Sequence, residues 1–330
     1  MIRERWDRDG LRDSLHCYFT AAFNTRTHKH HDDMSFTIFG FGREILTDAG
    51  RHSYNYTDPH RRYCESVYGH NVVIVDRADT DTRRLNIGKS GITSAFTGKG
   101  VTGVDAVHYL YPGVESRRLL VFFPPHVFVV FDRLVCDREI SATQQFLFAP
   151  DWRVAPDDAH AGLLRATLAE HSADSPTVFM SQLMPGTAAS RVISGQRDPL
   201  VGWVSRQHGS FESASAVHSD AAGQSVAFVT AFVFQGPGEA ERIPVGRSEW
   251  DGSTLQCALS VGGQSHDFTF ETGPVRSRIR FRESAIESSV WPTPFEYRSR
   301  RSLARSPISN VSGETGKIHK REANGDLRLV

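Results

Sequence analysis

The sequence predicts an all-β protein, a large antiparallel β-sandwich (supersandwich) with few short helices, and three observations carry that prediction. Short β-branched and aromatic runs bounded by Gly, Pro, Asn and Asp recur along the chain, with few stretches of helical period. The stretch Leu119-Leu120-Val121-Phe122-Phe123-Pro124-Pro125-His126-Val127-Phe128-Val129-Val130-Phe131-Asp132 reads as a hairpin of two buried strands with its prolines confined to the turn. Phe is abundant at 21 residues against 4 Met, which suits sheet-on-sheet packing better than a helical bundle.

Taken in order, Leu15–Thr20 alternates and gives an N-terminal strand. Ser35–Phe39 and Glu44–Thr47 form a hairpin about Gly40–Gly42. Strands are then predicted at Asn71–Asp76, Ala106–Tyr109, Arg118–Phe123, Val127–Asp132, Ser141–Phe148, Val201–Arg206, Ser225–Phe234, Leu255–Val261 and Val275–Phe281. Ala161–Glu170 is read as a short helix. No repeat of fixed period is visible. Residues 1–296 make the β domain. From Tyr297 the basic, serine-rich run Arg298–Ser306 opens a segment with almost no apolar periodicity, so 297–330 is read as a disordered tail.

Composition narrows the function classes. Hydrophobic residues at 39% and charged residues at 23% describe an ordinary globular chain. Lys plus Arg equals Asp plus Glu at 38 each, which gives no case for nucleic acid. No apolar run is long enough to span a bilayer, and Met1–Asp7 lacks the apolar segment of a secretory signal. Cys17, Cys64, Cys136 and Cys257 form no CxxC pair and are read as mostly reduced, buried small residues. Fifteen histidines favour metal or acid–base work.

The densest chemistry is His28-Lys29-His30-His31-Asp32-Asp33, just ahead of the first hairpin. If the strand begins at the histidines, its period of two puts His28 and His30 on one face. Asp48, at the end of the hairpin, and His70, opening the next strand, complete a set of two imidazoles and one carboxylate that suits Zn²⁺. Hairpin register leaves His52 as an alternative to Asp48, and a metal-free hydrogen-bond network as an alternative to the ion. Tyr54 and Tyr56 lie between these segments. Arg61 and Arg118 could pair bidentately with sulfate or carboxylate, although a surface arginine is the default reading.

The block His28–Phe36, followed by Leu46-Thr47-Asp48-Ala49-Gly50, Tyr54 and His70-Asn71-Val72-Val73, resembles the C-terminal sandwich of the heparinase II/III-like family. The Arg118–Asp132 hairpin, Gln145–Asp151 and Gly202–Ser205 fit the same pattern, so the resemblance covers most of the chain to about residue 285. These are polysaccharide lyases acting by β-elimination on uronic-acid glycans such as heparan sulfate and alginate. The resemblance implies a structural zinc on His30, Asp48 and His70, with Asp48 preferred over His52. It implies that His28 faces the substrate and that Tyr54 lines or braces the site, which makes both catalytic candidates; Tyr56 and Arg118 are candidate substrate-binding residues by residue type and position. It implies an acidic polysaccharide as partner and the cell envelope or periplasm as location. Family enzymes carry an α/α toroid ahead of the sandwich, whereas only Met1–Thr27 precede the motif here. A separate toroid chain is one source of the missing half. The alternative function is a non-catalytic, zinc-stabilised carbohydrate-binding or assembly sandwich.

Overall fold

A computed structural model describes residues 1–290 apart from 7–9, 99, 171, 173, 185–189, 272–277, 282–283 and 288, and over 278–290 it describes backbone alone. The tail read over 297–330 lies outside the described residues, as do residues 275–277 of the last predicted strand.

The architecture is the predicted antiparallel supersandwich. Its spine is two strands, Val127–Leu147 and Ser215–Gln235, paired along nearly their whole length with one register shift at Gly223/Ser225. They lie at the centre of an 11-stranded antiparallel sheet. A four-stranded sheet (Ile2–Arg3, His16–Phe19, Phe36–Gly40, Arg43–Leu46) covers one face, and a sheet that includes Pro244–Trp250, Thr254–Val261 and Phe268–Glu271 covers the other.

This double covering explains why the hairpin reads as unbroken apolar sequence. Leu120, Phe122, Phe128 and Val130 pack beneath the N-terminal sheet with Phe36, Ile38 and Leu46. The alternate residues Leu119, Val121, Val129 and Phe131 pack on the other side with Leu255, Leu259 and Phe270. Both faces of the strand are buried, so its sequence has no polar alternation to show. Each such side chain contributes roughly 1.5–3 kcal/mol on leaving water.

The predicted strands are present, several longer than read: Ala106–Tyr109 lies within Val101–Tyr111, and Val127–Asp132 and Ser141–Phe148 belong to one strand ending at Leu147. Val201–Arg206 is instead two short bridged pieces, Leu200–Val201 and Trp203–Val204.

Two expectations are corrected. Ala161–Glu170 is not helical: Leu163–Leu168 is a strand paired on both sides, with Trp152–Pro156 and Thr177–Met184. Leu164 and Ala166 face one core while Leu163 faces the other, a period of two that a short helix could not satisfy. The strand carrying the first hairpin starts at Phe36 and not at the histidines. His28 and Met34 have left-handed backbones at φ 58° and 63°, which break any extended run. Lys29 closes the segment on itself, its ammonium reaching Asp32 at 2.5 Å and Asp33 at 2.7 Å.

Among the described residues the one α-helix is Pro59–Glu65, capped by Asp58, whose carboxylate accepts from the His60 N–H. No helix of the described residues is long and apolar enough to cross a membrane. All four cysteines are free and three are buried, and burial pushes the thiols of Cys17, Cys64 and Cys257 up to about 12.

Candidate metal centre

Three segments meet beside the small core under the helix. The turn 28–35 brings His30, the residues after strand Arg43–Leu46 bring Asp48, and the turn after Val67–Gly69 brings His70. Two glycines permit the approach. At Gly50 (φ 79°) a Cβ would collide with the Ser205 carbonyl oxygen, and at Gly69 it would stand 2.7 Å from the Cys64 carbonyl oxygen.

Buried polar side chains then fix the segments. Asn71, fully buried, donates from Nδ2 to the carbonyls of Phe36 (2.7 Å) and Thr47 (2.9 Å), and its Oδ1 accepts from the Leu147 N–H (2.6 Å). Gln145 donates to the carbonyls of His70 and Tyr68 at 2.8 and 3.0 Å and accepts from His218 at 2.7 Å. Arg118 pairs bidentately with Asp132 at 2.6 and 2.7 Å, and its Nη1 donates to the carbonyls of Met34 and Asn71. Gln144 donates to the same aspartate at 2.7 Å. Arg118, Asp132, Gln144 and Gln145 lie on the central sheet and Asn71 bonds to it at Leu147, so the sheet holds the turns that carry His30, Asp48 and His70.

The donor atoms of His30, Asp48 and His70 lie within 4.8 Å of one another. His70 Nδ1 is 2.7 Å from Asp48 Oδ2, and Asp48 Oδ1 accepts from the Gly50 N–H at 2.8 Å. With the Nδ1 proton donated to the carboxylate, Nε2 keeps its lone pair. That nitrogen is buried without a hydrogen-bond partner, and the ring stands 5.5 Å from the His30 ring. A bare, buried imidazole nitrogen beside a second imidazole and a carboxylate fits a zinc ligand set.

Without an ion, the electrostatics favour the neutral form at His30 and the charged form at His70. Burial holds the His30 imidazole below its ordinary value, and the neighbouring His70 adds to this, which favours the neutral form a metal needs. Burial acts the same way on His70, but the Asp48 carboxylate outweighs it and holds the ring above its ordinary value. Asp48 is held low because His70 outweighs the effect of its own burial.

The other sequence candidates are placed as follows. His28 is exposed on its left-handed turn. Tyr54 and Tyr56 are exposed at 69% and 72%. The Tyr54 ring contacts Arg51 and His208, and the Tyr56 ring lies under Arg61. His52 joins Asp58 and His60 and not His30. Arg118 is corrected: at 1% exposure, with its donors spent on Asp132, Met34 and Asn71, it braces the fold and offers nothing to a substrate. Arg61 is also buried and pairs with Glu65 at 2.7 Å. Sequence reasoning missed Asn71, Gln145 and Asp132 as supports. The available signal was Gln144-Gln145 inside an apolar strand, where two buried amides need partners.

The sequence model of the family described as heparinase II/III-like, C-terminal, matches residues 18–244, a span holding every metal and catalytic candidate. No curated protein matches the chain. Among solved structures, a heparinase III gene product is similar with a TM-score of 0.68 at 14% identity, over 82% of this chain and 40% of that one. A heparan sulfate lyase from Pedobacter heparinus is similar with a TM-score of 0.66 at 16% identity, over 80% of this chain and 40% of that one. A heparinase III gives 0.61 at 12% identity, over 76% and 37%. The chain therefore spans about two fifths of the length of these proteins, and at these identities they show its fold.

Proposed function

The chain belongs to the heparinase II/III-like, C-terminal family, and from that premise we propose that it is the sandwich share of a polysaccharide lyase that cleaves uronic-acid glycans by β-elimination. The observation that carries the reading is the placement of the two motif histidines. His28 is exposed on a fixed left-handed turn, and the same turn leads into half-buried His30 of the ligand set. A solvent-facing imidazole two residues from a candidate metal ligand is placed to abstract a proton beside a carboxylate.

His30, Asp48 and His70 would hold Zn²⁺, which would supply a structural anchor for the turn. His28 meets the uronate. Its imidazole accepts the proton from the carbon next to the carboxylate, or neutralises the charge growing on that carboxylate. Tyr54 lines the site, and Tyr56 offers an exposed ring to a sugar face. The group that protonates the departing oxygen comes from an α/α toroid, on a separate chain or elsewhere in the same protein.

The test is absorbance of the unsaturated uronate after incubation with heparan sulfate, alginate or hyaluronan, with and without a toroid protein. A rise that His28→Ala abolishes is expected. No rise on any glycan in either setting would sink the lyase reading. The second reading, a sandwich that binds sugar without cutting it, draws on the exposed rings of Tyr54 and Tyr56, which can meet a sugar face with no acid–base chemistry. Glycan binding with no absorbance rise is its signature.

A further inference from the structure

Away from the centre described above, His52, Asp58 and His60 bring two imidazoles and a carboxylate together, with one donor atom from each inside 4.8 Å. His52 Nε2 stands 3.5 Å from Asp58 Oδ2, and His60 Nδ1 stands 3.3 Å from Asp58 Oδ1. Charge-assisted N–H···O bonds are shorter, about 2.7–2.9 Å. Ligands at about 2.0–2.1 Å from a tetrahedral ion stand about 3.4 Å from one another.

The hydrogen-bond partners also fix which nitrogen is available. His52 Nδ1 lies 2.9 Å from the Ser210 carbonyl oxygen, which can only accept, so Nδ1 carries the proton. In the neutral ring Nε2 then presents its lone pair to the Asp58 carboxylate. Two acceptors facing each other are bridged either by a proton on Nε2 or by a metal ion.

The donors are also pre-positioned. The Ser53 hydroxyl donates to Asp58 Oδ2 at 2.9 Å. Phe211 packs edge-on against both imidazoles, with ring centroids at 5.5 Å from His52 and 4.4 Å from His60, and it stacks on Trp203 at 4.9 Å. The side chains of His52, Asp58 and His60 are 12%, 19% and 43% exposed, so an ion can enter from solvent.

We propose that His52, Asp58 and His60 form a second divalent transition-metal site, of the Zn²⁺ class, separate from His30, Asp48 and His70. Two imidazoles and one carboxylate select zinc, nickel or copper over calcium and magnesium. Three protein ligands leave a fourth position for water or an exogenous donor.

The test strips the full chain with a chelator and titrates it with Zn²⁺ against a chromophoric competitor. His60→Ala, at a solvent-facing position, is expected to bind one ion fewer than wild type with an unchanged circular dichroism spectrum. His70→Ala is expected to lose the other ion, and the double variant both. Equal stoichiometry in wild type and His60→Ala overturns the proposal. A measurement on wild type alone gives an independent decision. Zn²⁺ should protect His52 and His60 from carbethoxylation, read by peptide mass spectrometry, and equal labelling with and without the ion also overturns it.

Discussion

His30, Asp48 and His70 come from three segments far apart in sequence, whereas His52, Asp58 and His60 lie on one short connection leading into the helix. The donor types are the same. The first set is held by buried Asn71 and by buried side chains of the central sheet, Gln145, Arg118 and, behind it, Asp132. The second is held by a local cap at Asp58 and an aromatic wall at Phe211. Position in the first set is thus a property of the whole fold, and in the second of one loop. Perturbing the fold should therefore disturb the first set and spare the second.

The largest effect is expected from Arg118→Met. It leaves Asp132 buried with only Gln144 as side-chain partner and frees the carbonyls of Met34 and Asn71. Breaking a buried pair from one side costs about 3–5 kcal/mol, which a urea midpoint would register. A loss under about 1 kcal/mol would mean that the network does not carry the turns.

Acid comes next. Burial holds the imidazoles of His108 and His218 down at about 4, against 6.5 for a free ring. Between these values the unfolded chain takes up protons that the folded chain refuses. Stability from these rings is present above pH 6.5, falls as pH drops through the window, and levels off near pH 4. At about 1.4 kcal/mol per pH unit, each ring accounts for roughly 3 kcal/mol. His218 bonds to the Gln145 that grips the His70 carbonyl, so acid should loosen the first set. Urea midpoints measured from pH 7 to 4 give the profile, and a flat one would refute the assignment.

His30→Ala should remove one zinc per chain and lower the melting temperature by several degrees, because an ion bound only to the folded state stabilises it. Metal analysis of protein purified without chelator checks this, and a metal-free wild type would end the zinc assignment. The smallest effect belongs to His60→Ala: with both proteins stripped of metal, stability within about 0.5 kcal/mol of wild type, and loss of one metal equivalent on titration. A large destabilisation there would place the second set inside the fold's own support and erase the contrast.

The hairpin and the two-sided apolar run were legible because strand period and proline position are local properties. The grouping of His30, Asp48 and His70 was legible by residue type, and the first hairpin to within a residue at its start. The geometry of the histidine run was not. Its left-handed residues His28 and Met34 lie in a turn that Lys29 closes locally on Asp32 and Asp33, and that Arg118 holds from far along the chain through the Met34 carbonyl. The role of Arg118 was hidden by the surface default for arginine, yet a hairpin turning at Pro125 places Arg118 directly opposite Asp132. Leu163–Leu168 misled because a run serving two cores lacks alternation, and only its pairing on both sides shows which structure it takes.

The two 21-residue strands at the centre have a kinetic consequence. At about 3.3 Å per residue each runs roughly 70 Å, from the doubly covered hydrophobic layers to the segment that grips His70 and Asn71. Amide protons along Val127–Leu134 and Ala142–Leu147 should therefore exchange slowly, with the exposed stretch 137–139, which lies outside the register of the pair, exchanging faster between them. Opening the turns that carry His30 and His70 would then be coupled to opening of the Ala142–Leu147 end of the strand.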